Sequence, residues 1–387
     1  AGGRYYVIRD DSSIILFVLG QKSLADSGFK IVGAHTDSPG LRIRPNGAQV
    51  SNGFAQLGVE IYGGPILATF TDRDLSLAGR VSYSDEQGYI AHKRIRFGQS
   101  VLRIPNLAIH MNRSVNDEGL KLHKQTELLP LFAQLTEEQL PNPYFMQLLA
   151  QATNLDTDQI LSWDLAVYDT QKGTFWGAAN EFYANSQIDN LASCHAGLQA
   201  LLDEQVLNQS QGTLACAFFD HEEVGSESHI GAAGSFLSDC LQRITLALNL
   251  DREDSARALA HSFLISADMA HAYHPNFPAA YDVNHKVFVN RGPVIKSNAN
   301  RRYSSESISI AQFIRWCQDA DVPYQHYSHR NDLACGSTIG PLASAKLGIR
   351  SIDIGCPMWA MHSIRESAGV YDHEYLIKVL KQFFLSV

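Results

Sequence analysis

Four segments of the sequence share one pattern, an apolar run that ends in a cluster of polar residues. They are FKIVGAHTDSPG (29–40), TLACAFFDHEEVGS (213–226), SFLISADMAHAYHPN (262–276) and GIRSIDIGCPMWAMHS (348–363). Unbroken apolar runs bounded by Gly and Pro are typical of strands that are buried on both faces. Each segment therefore predicts a buried strand whose carboxyl end carries the polar cluster.

Helical patterns lie between these runs. In IDNLASCHAGLQALLDEQVL (188–207) the apolar residues follow helical spacing, with Asp189 or Asn190 placed as the N-cap. TIGPLASAKLG (338–348) and HEYLIKVLKQFFLSV (373–387) also predict helices. Strands that alternate with helices predict an α/β fold, whose sites gather at the carboxyl ends of the strands. We expect a three-layer domain with a mixed, largely parallel sheet between helices.

The stretch from about residue 45 to 177 has a different character. It is rich in β-branched and aromatic residues punctuated by Gly and Asp-Arg, a pattern that favours hairpins, and a partly helical stretch follows at 127–152. This indicates a β-rich domain (45–177) inserted into a discontinuous catalytic domain (1–44 and 178–387).

Composition narrows the classes of partner. The 387 residues are 45% hydrophobic, enough for two cores, and 31 Lys+Arg against 40 Asp+Glu give a net charge of -9. This balance argues against nucleic acid and anionic membranes, and no apolar run approaches the roughly 18 residues of a membrane span. None of the six cysteines forms a C-x-x-C pair, which predicts buried free thiols in a reducing, cytoplasmic setting. The chain begins at Ala1, so what precedes it stays open.

The polar clusters supply the donors of a dimetal site. A pair of divalent ions needs about six protein ligands, one of them a bridging carboxylate, and a base for the water held between the ions. A single His or Asp at a strand end is more often a cap, but four such clusters together favour metal, with donors suited to zinc or manganese. The candidates are His35, Asp189, Glu222, Glu223, Asp268 and His362, with Asp37 placed to orient the imidazole of His35.

Glu222 and Glu223 are adjacent, so their side chains point to different sides. One can bind metal while the other turns toward the water, and the residues alone leave open which is which. Charge balances if two ions meet three ligating carboxylates and one hydroxide. Such a site lowers the pKa of its water to about 7.

Eight motifs, spread over nearly the whole chain, match one family. They are GAHTDSPGLRIRP, RIPNLAIHMNR, DNLASCHAGL, DHEEVGS, SADMAHAYHPN, GPVIKSNANRRY, CGSTIGP and AMHSIRES. In these motifs the sequence resembles the aspartyl aminopeptidases, metallo-aminopeptidases that form tetrahedral dodecamers. The resemblance implies two divalent ions per subunit, Zn or alternatively Co or Mn, and an inserted domain that mediates dimerisation.

The resemblance also implies a role for each site residue. Asp189 would bridge the ions, and Glu222 would be the general base. The other ligands would divide between the ions, His35 and Asp268 on one, Glu223 and His362 on the other. His110, in the inserted domain, would reach across the dimer interface and stabilise the oxyanion in the partner's site.

An acidic N-terminal residue of a substrate needs a cation in its pocket. The resemblance places Lys296 and Tyr303 at positions that contact the substrate, and Arg365 is a second candidate cation. Gly336 and Ser337 could offer backbone amides at a helix start, suited to an anionic group. The predicted function is release of N-terminal Asp or Glu from peptides, by attack of a hydroxide held by both metals.

Three alternatives stay open at this stage. A dimetal aminopeptidase that prefers neutral residues such as Leu would use the same metals, and a deacylase of N-acyl amino acids would use similar ligands. An inactive dodecameric scaffold would have lost a ligand or the base, whereas all six positions are intact here.

Overall fold

The computed structural model describes residues 2–386, which fold into two compact units. The first unit contains the residues up to Ser38, then Thr174–Met361, and then those from Glu366 onward; the second contains Pro39–Gly173 and His362–Arg365. The sequence placed the inserted stretch at 45–177 and did not anticipate the short second segment. The roles of the two units in catalysis and dimerisation stay predictions.

The elements alternate between strands and helices in the first unit and are mostly strands in the second. The strands are β1 (Arg4–Arg9), β2 (Ser13–Val18), β3 (Phe29–His35), β4 (Gly40–Ser51), β5 (Phe54–Tyr62), β6 (Leu75–Ser84), β7 (Ile90–Arg96), β8 (Leu131–Gln134), β9 (Ile160–Asp169), β10 (Thr174–Trp176), β11 (Phe182–Asn185), β12 (Thr213–Phe219), β13 (Phe263–Ala267), β14 (Ala270–His271), β15 (Val294–Ser297), β16 (Gln325–Ser328), β17 (Arg350–Gly355), β18 (Pro357–Trp359) and β19 (Glu366–Gly369). The helices are α1 (Leu24–Ser27), α2 (Val115–Glu118), α3 (Pro141–Thr153), α4 (Ile188–Leu201), α5 (Glu204–Gln209), α6 (Phe236–Ala247), α7 (Arg252–Ala260), α8 (Ser307–Asp319), α9 (Ile339–Leu347) and α10 (Val370–Leu385).

The main sheet of the first unit has the order β1-β2-β12-β3-β13-β17-β15-β16 within residues 2–386. Parallel pairing joins β12 to β3, β3 to β13 and β13 to β17, so the four predicted strands lie side by side at its centre. Antiparallel pairs at β1–β2, β2–β12 and β15–β17 make the sheet mixed. Because these four strands are parallel, the polar clusters that follow them lie at the same end of the sheet.

Two hydrophobic cores lie on opposite faces of this sheet. Along β3, Ile31 packs with residues of α6, α7 and α9, whereas Val32 packs with residues of α4, α8 and α10. Successive side chains of a strand point to opposite faces, so one buried strand contributes to both cores. The arrangement of helices, sheet and helices is the predicted three-layer architecture.

The helix predicted over 188–207 is two helices, α4 and α5. The chain leaves the helical path after Leu201, and Asp203 begins α5 by accepting hydrogen bonds from the backbone N–H groups of Gln205 and Val206. The residue that precedes α4 is Gln187, and the two predicted N-cap candidates, Asp189 and Asn190, lie at a kink in its first turn, where their backbone angles are non-helical. The side-chain amide of Asn190 donates to the carbonyl of Ala267. The other two predicted helices correspond to α9 and α10.

The second unit is built on an antiparallel sheet of order β7-β6-β9-β4-β5-β8 among the described residues. Its core joins Leu41 and Leu57 of the sheet to Phe145 and Leu149 of α3. Hairpins and a partly helical stretch were predicted for this part of the sequence, and both are present. Ile364, from the short second segment, packs into the same core.

The cysteines match the sequence prediction. All six are free thiols, and five are buried, with Cys335 partly exposed. No helix within residues 2–386 is both long and apolar enough to span a membrane.

Close packing at the end of β17 yields a first prediction. A Cβ added to Gly355 would lie 1.7 Å from the carbonyl oxygen of Asp268, a backbone atom that cannot move freely. Gly355→Ala should therefore lower the free energy of unfolding by about 2 kcal/mol or more. Gly212→Ala is the matched control, because a Cβ there meets nothing within 4 Å. Urea unfolding of both variants measures the difference, and equal stabilities would contradict the packing argument.

Candidate active site

Three neighbouring strands of the main sheet end in the predicted clusters of polar residues. His35 is the last residue of β3, and Asp268 follows directly after β13. Glu222 and Glu223 lie in a short 3-10 turn, Glu222–Val224, just after β12. Because β12, β3 and β13 are parallel neighbours, their carboxyl ends bring these side chains together.

Asp189 reaches the same place from the start of α4. A Cβ on Gly197 would lie 3.1 Å from Cγ1 of Val32, so glycine lets α4 pack closely against β3. The backbone of Asp189 is held by two hydrogen bonds: its N–H donates to Oε2 of Glu366 at 3.0 Å, and its carbonyl accepts from the hydroxyl of Ser38 at 2.7 Å. The peptide bond between Asp189 and Asn190 is cis.

The imidazole of His35 is the centre of the cluster. Its Nε2 lies 3.3 Å from Oδ1 of Asp189, 3.4 Å from Oδ1 of Asp268 and 3.9 Å from Oε2 of Glu222. Potential ligand atoms lie within 4.8 Å of one another in two groups. One group is His35, Asp189 and Glu223, and the other is His35, Glu222 and Asp268.

Asp37 orients the parts of this cluster. Its two carboxylate oxygens accept hydrogen bonds from the backbone N–H groups of Glu222 and Glu223, each at 3.1 Å. The carbonyl of Asp37 lies 3.0 Å from Nδ1 of His35, and a ring N–H donated there would leave Nε2 facing the carboxylates with its lone pair. The sequence predicted that Asp37 orients His35, but not that it also fixes the turn that carries both glutamates.

The cluster concentrates negative charge in a buried place. Burial alone would lower the pKa of His35, but hydrogen bonds to three surrounding aspartates raise it well above its usual value. Burial raises the pKa of Glu222 to about 8; nearby His35 opposes this, and the neighbouring aspartates add to it. The raised pKa of His35 means that the carboxylates of the cluster favour a positive charge placed among them, whereas the raised pKa of Glu222 reflects mainly the cost of burying its charge.

The donor set fits the divalent metals that the sequence predicts. One imidazole and four carboxylates make up the two groups, which share His35, and zinc accepts both donor types. A buried group of carboxylates is costly unless cations compensate it, which a proton on His35 does only in part. The geometry therefore supports a metal centre formed by His35, Asp189, Asp268 and the two adjacent glutamates.

A buried cation lies beside this centre. Nζ of Lys296, on β15, is 3.4 Å from Oδ2 of Asp268 and 5.5 Å from the centre of the Tyr303 ring. Only 3% of Lys296 and 4% of Tyr303 are exposed, so both side chains are buried. The structure brings these two predicted substrate-binding residues together.

The structure gives the positions of the other predicted site residues but does not test their roles. Gly336 and Ser337 directly precede α9, and the hydroxyl of Ser337 donates to the carbonyl of Arg302. His362, His110 and Arg365 belong to the second unit. Nδ1 of His362 lies 3.1 Å from the carbonyl of Gly64, His110 is exposed, and the guanidinium of Arg365 donates to backbone carbonyls at 171 and 172. These assignments stay predictions.

Sequence reasoning missed two residues that support the site. Ser38 and Glu366 hold the backbone of Asp189 from opposite sides. Both lie inside quoted motifs, GAHTDSPG and AMHSIRES, but a hydroxyl or carboxylate that binds a backbone group has no spacing signature. Glu366 is only 2% exposed, and burial of that kind is visible only in the folded chain.

Comparison with known proteins identifies the family. The profile of the family described as "Aminopeptidase I zinc metalloprotease (M18)" matches residues 1–384. The chain belongs to this M18 family. It is a zinc metallo-aminopeptidase, as the sequence predicted.

Individual M18 relatives extend over the whole chain. A "Probable M18 family aminopeptidase 2" from Pseudomonas paraeruginosa is 46% identical over 389 residues, which cover 100% of this chain and 88% of that protein. A protein of the same name from Clostridium novyi is 43% identical over 385 residues, which cover 99% of this chain and 88% of that protein.

Solved M18 structures have the same fold. The structure described as "Cryo-EM structure of the Ape4 and Nbr1 complex" is 40% identical, with a TM-score of 0.94 over 99% of this chain and 76% of that chain. An M18 aminopeptidase from Thermotoga maritima, at 20% identity, covers 99% of this chain and 86% of that chain with a TM-score of 0.87, a likeness in fold alone. These likenesses confirm the predicted fold class.

Proposed function

We propose that this M18 aminopeptidase releases N-terminal Asp and Glu from peptides. The observation that carries the proposal is the buried ammonium of Lys296, 3.4 Å from a carboxylate of the metal cluster. A buried cation at the edge of a catalytic centre can pair with the side-chain carboxylate of a substrate whose N-terminus lies at that centre. A neutral side chain would leave the ammonium without that partner.

The proposed metal site holds two ions. His35 and Asp268 would bind one, Glu223 and His362 the other, and Asp189 would bridge them. The distances around His35 support this for the residues of the first unit. When bound, two such ions polarise the scissile carbonyl and lower the pKa of water. Zn is proposed from the family, with Co and Mn as alternatives.

Glu222 is proposed as the general base. Its side chain keeps 14% of its surface exposed, so it can meet a water. A carboxylate in that position can take the proton of the attacking water and return it to the leaving amine. Asp37 holds the backbone N–H of both glutamates, so each of them keeps its direction.

The assembly is proposed to be a homo-oligomer in which dimers form a dodecamer. One similar structure, 25% identical, is described as the "Structure of S. cerevesiae mApe1 dodecamer". On this chain, His110 lies among three exposed apolar residues, Leu107, Ile109 and Met111. A neighbouring subunit that covered these residues would place His110 at an interface, where it could stabilise the oxyanion of the partner's site.

The substrate class is tested with matched peptides that begin with Asp, Glu, Leu or Lys. The zinc-loaded protein should cleave the Asp and Glu peptides with kcat/KM at least about 100-fold above the Leu peptide, because only an acidic side chain pairs with Lys296. A chelated sample is the control and should lose activity on all four. Faster cleavage of Leu would replace the acidic specificity with the neutral one. No cleavage by the loaded protein would favour the scaffold.

The roles of the two adjacent glutamates are separated by the same substitution at each. Glu222→Gln should keep roughly two ions per subunit and lose about 10²- to 10⁴-fold in kcat, because the proton acceptor is gone. Glu223→Gln should lose metal, because a ligand is gone. Metal content by mass spectrometry and single-turnover kinetics measure both, with the exposed Glu227→Gln as the matched control. Normal turnover in Glu222→Gln would mean that the base is misassigned.

The proposed role of His110 is tested by mixing inactive subunits. His110→Ala and Glu222→Gln should each be inactive alone while keeping the size of the native oligomer. After dissociation and reassembly together, activity should return, because some sites then combine Glu222 of one subunit with His110 of another. Full kcat in His110→Ala, or mixed oligomers that stay inactive, would contradict the proposal of a site shared between subunits.

A further inference from the structure

A histidine that the proposed mechanism does not use lies at the end of the strand that pairs with the strand of Lys296. His329 follows β16, and its Nδ1 lies 2.5 Å from the hydroxyl of Tyr327. Its other ring nitrogen, Nε2, is buried, and no hydrogen-bond partner for it is found within residues 2–386. A buried polar nitrogen without a partner is costly in a folded protein, so a ligand that supplies the partner would be favoured there.

A hydrogen bond of 2.5 Å joins the hydroxyl of Tyr327 to Nδ1 of His329, and burial raises the pKa of Tyr327, so the phenol keeps its proton. A neutral phenol can donate to Nδ1 or accept from it. If it donates, the neutral imidazole carries its own proton on Nε2. The unpartnered atom is then an N–H donor, and the partner it needs is an acceptor such as a carboxylate oxygen.

The strand register places Tyr327 on the same side of the sheet as the buried cation. Lys296 on β15 is paired with Tyr327 on β16, and paired residues of neighbouring strands project to one face. His329 lies just beyond the end of β16, and its hydrogen bond to Tyr327 holds its ring beside that side chain. The ring of His271 lies 6.0 Å from Tyr327 and 6.4 Å from His329, so these aromatic rings form one wall near Lys296.

We propose that Nε2–H of His329 donates a hydrogen bond to the side-chain carboxylate of the substrate's N-terminal residue, and that Tyr327 holds His329 in the tautomer that does so. The inference rests on the proposed acidic specificity and names a further specificity residue for it. Lys296 and His329 would supply two donors to the two oxygens of one carboxylate. A Leu side chain would bury the N–H of His329 without an acceptor, which is how a polar pocket rejects an apolar analogue.

The geometry predicts different effects of three substitutions at this position. His329→Phe keeps the ring shape and removes the donor, so kcat/KM for an Asp peptide should fall roughly 10- to 100-fold, mainly through KM, while the Leu peptide is unaffected. In His329→Gln, the amide nitrogen can stand in for Nε2, and this variant should retain most of the preference for Asp. His329→Asn places its amide nearer Nδ1 and should behave as His329→Phe does.

A binding measurement complements the kinetics. Calorimetric titration with free L-aspartate, the product, should show weaker binding to His329→Phe than to wild type by the same factor, with L-leucine unchanged. Tyr327→Phe removes the hydrogen bond that fixes the tautomer and should weaken L-aspartate binding several-fold while leaving L-leucine binding intact. A merely structural role of either residue would weaken both amino acids alike, and that result would overturn the proposal.

Failure of this inference is distinguishable from failure of the proposed function. If wild type prefers the Leu peptide, the acidic specificity fails and His329 fails with it. If wild type prefers Asp and His329→Phe keeps the same Asp-to-Leu ratio within about twofold, the inference alone fails. Zinc content and thermal unfolding show whether each variant is folded. If His329→Phe is not, the comparison of Gln with Asn decides, because equal Asp-to-Leu ratios in those two variants would overturn the inference.

Discussion

The concentration of buried carboxylates around His35 is the constraint on which the rest of the structure depends. Such a cluster is stable only where cations compensate it and where the backbone holds each oxygen in place. Three parallel strands that end side by side meet the second requirement, because their ends lie at fixed positions in a sheet packed on both faces. Asp37 adds the hydrogen bonds that fix the turn between the strand and the glutamates. The sheet that forms the core of the fold thus also holds the candidate metal ligands in place.

The same electrostatic logic connects the metal centre to the substrate pocket. Lys296 is buried next to Asp268, where the carboxylate stabilises its ammonium even though water is excluded. If ions engage Asp268 as proposed, that compensation would be shared, and the ammonium would gain more from a second anion. An acidic substrate side chain would supply one. Under the proposed assignment, a single ion pair would couple a metal ligand to a specificity residue.

The strands and their clusters of polar residues are predictable from the sequence, because a strand that is buried on both faces is an unbroken apolar run. The sequence does not predict the role of a residue that binds a backbone group or contacts a residue distant in the sequence. Asp189 has the pattern of an N-cap, but its carboxylate lies 3.3 Å from Nε2 of His35. Ser38 and Glu366 support it from opposite sides, and the break at Asp203 is decided by local capping that helical periodicity does not register. The contacts of Asp189 join residues that are distant in the sequence and meet only in the folded chain.

His329 is the clearest example of information that only the folded chain holds. In the sequence, His329 lies in YSHRND, outside the motifs that single out His35, His110 and His362 among the fifteen histidines. Its significance depends on the pairing of β15 with β16, which sets Tyr327 beside Lys296, and on one hydroxyl that holds the tautomer. A protein with a net charge of -9 repels acidic peptides at long range, a repulsion that physiological salt screens beyond about 8 Å. The proposed selection of an acidic residue would therefore have to come from short contacts, and two donors on adjacent strands are suited to provide them.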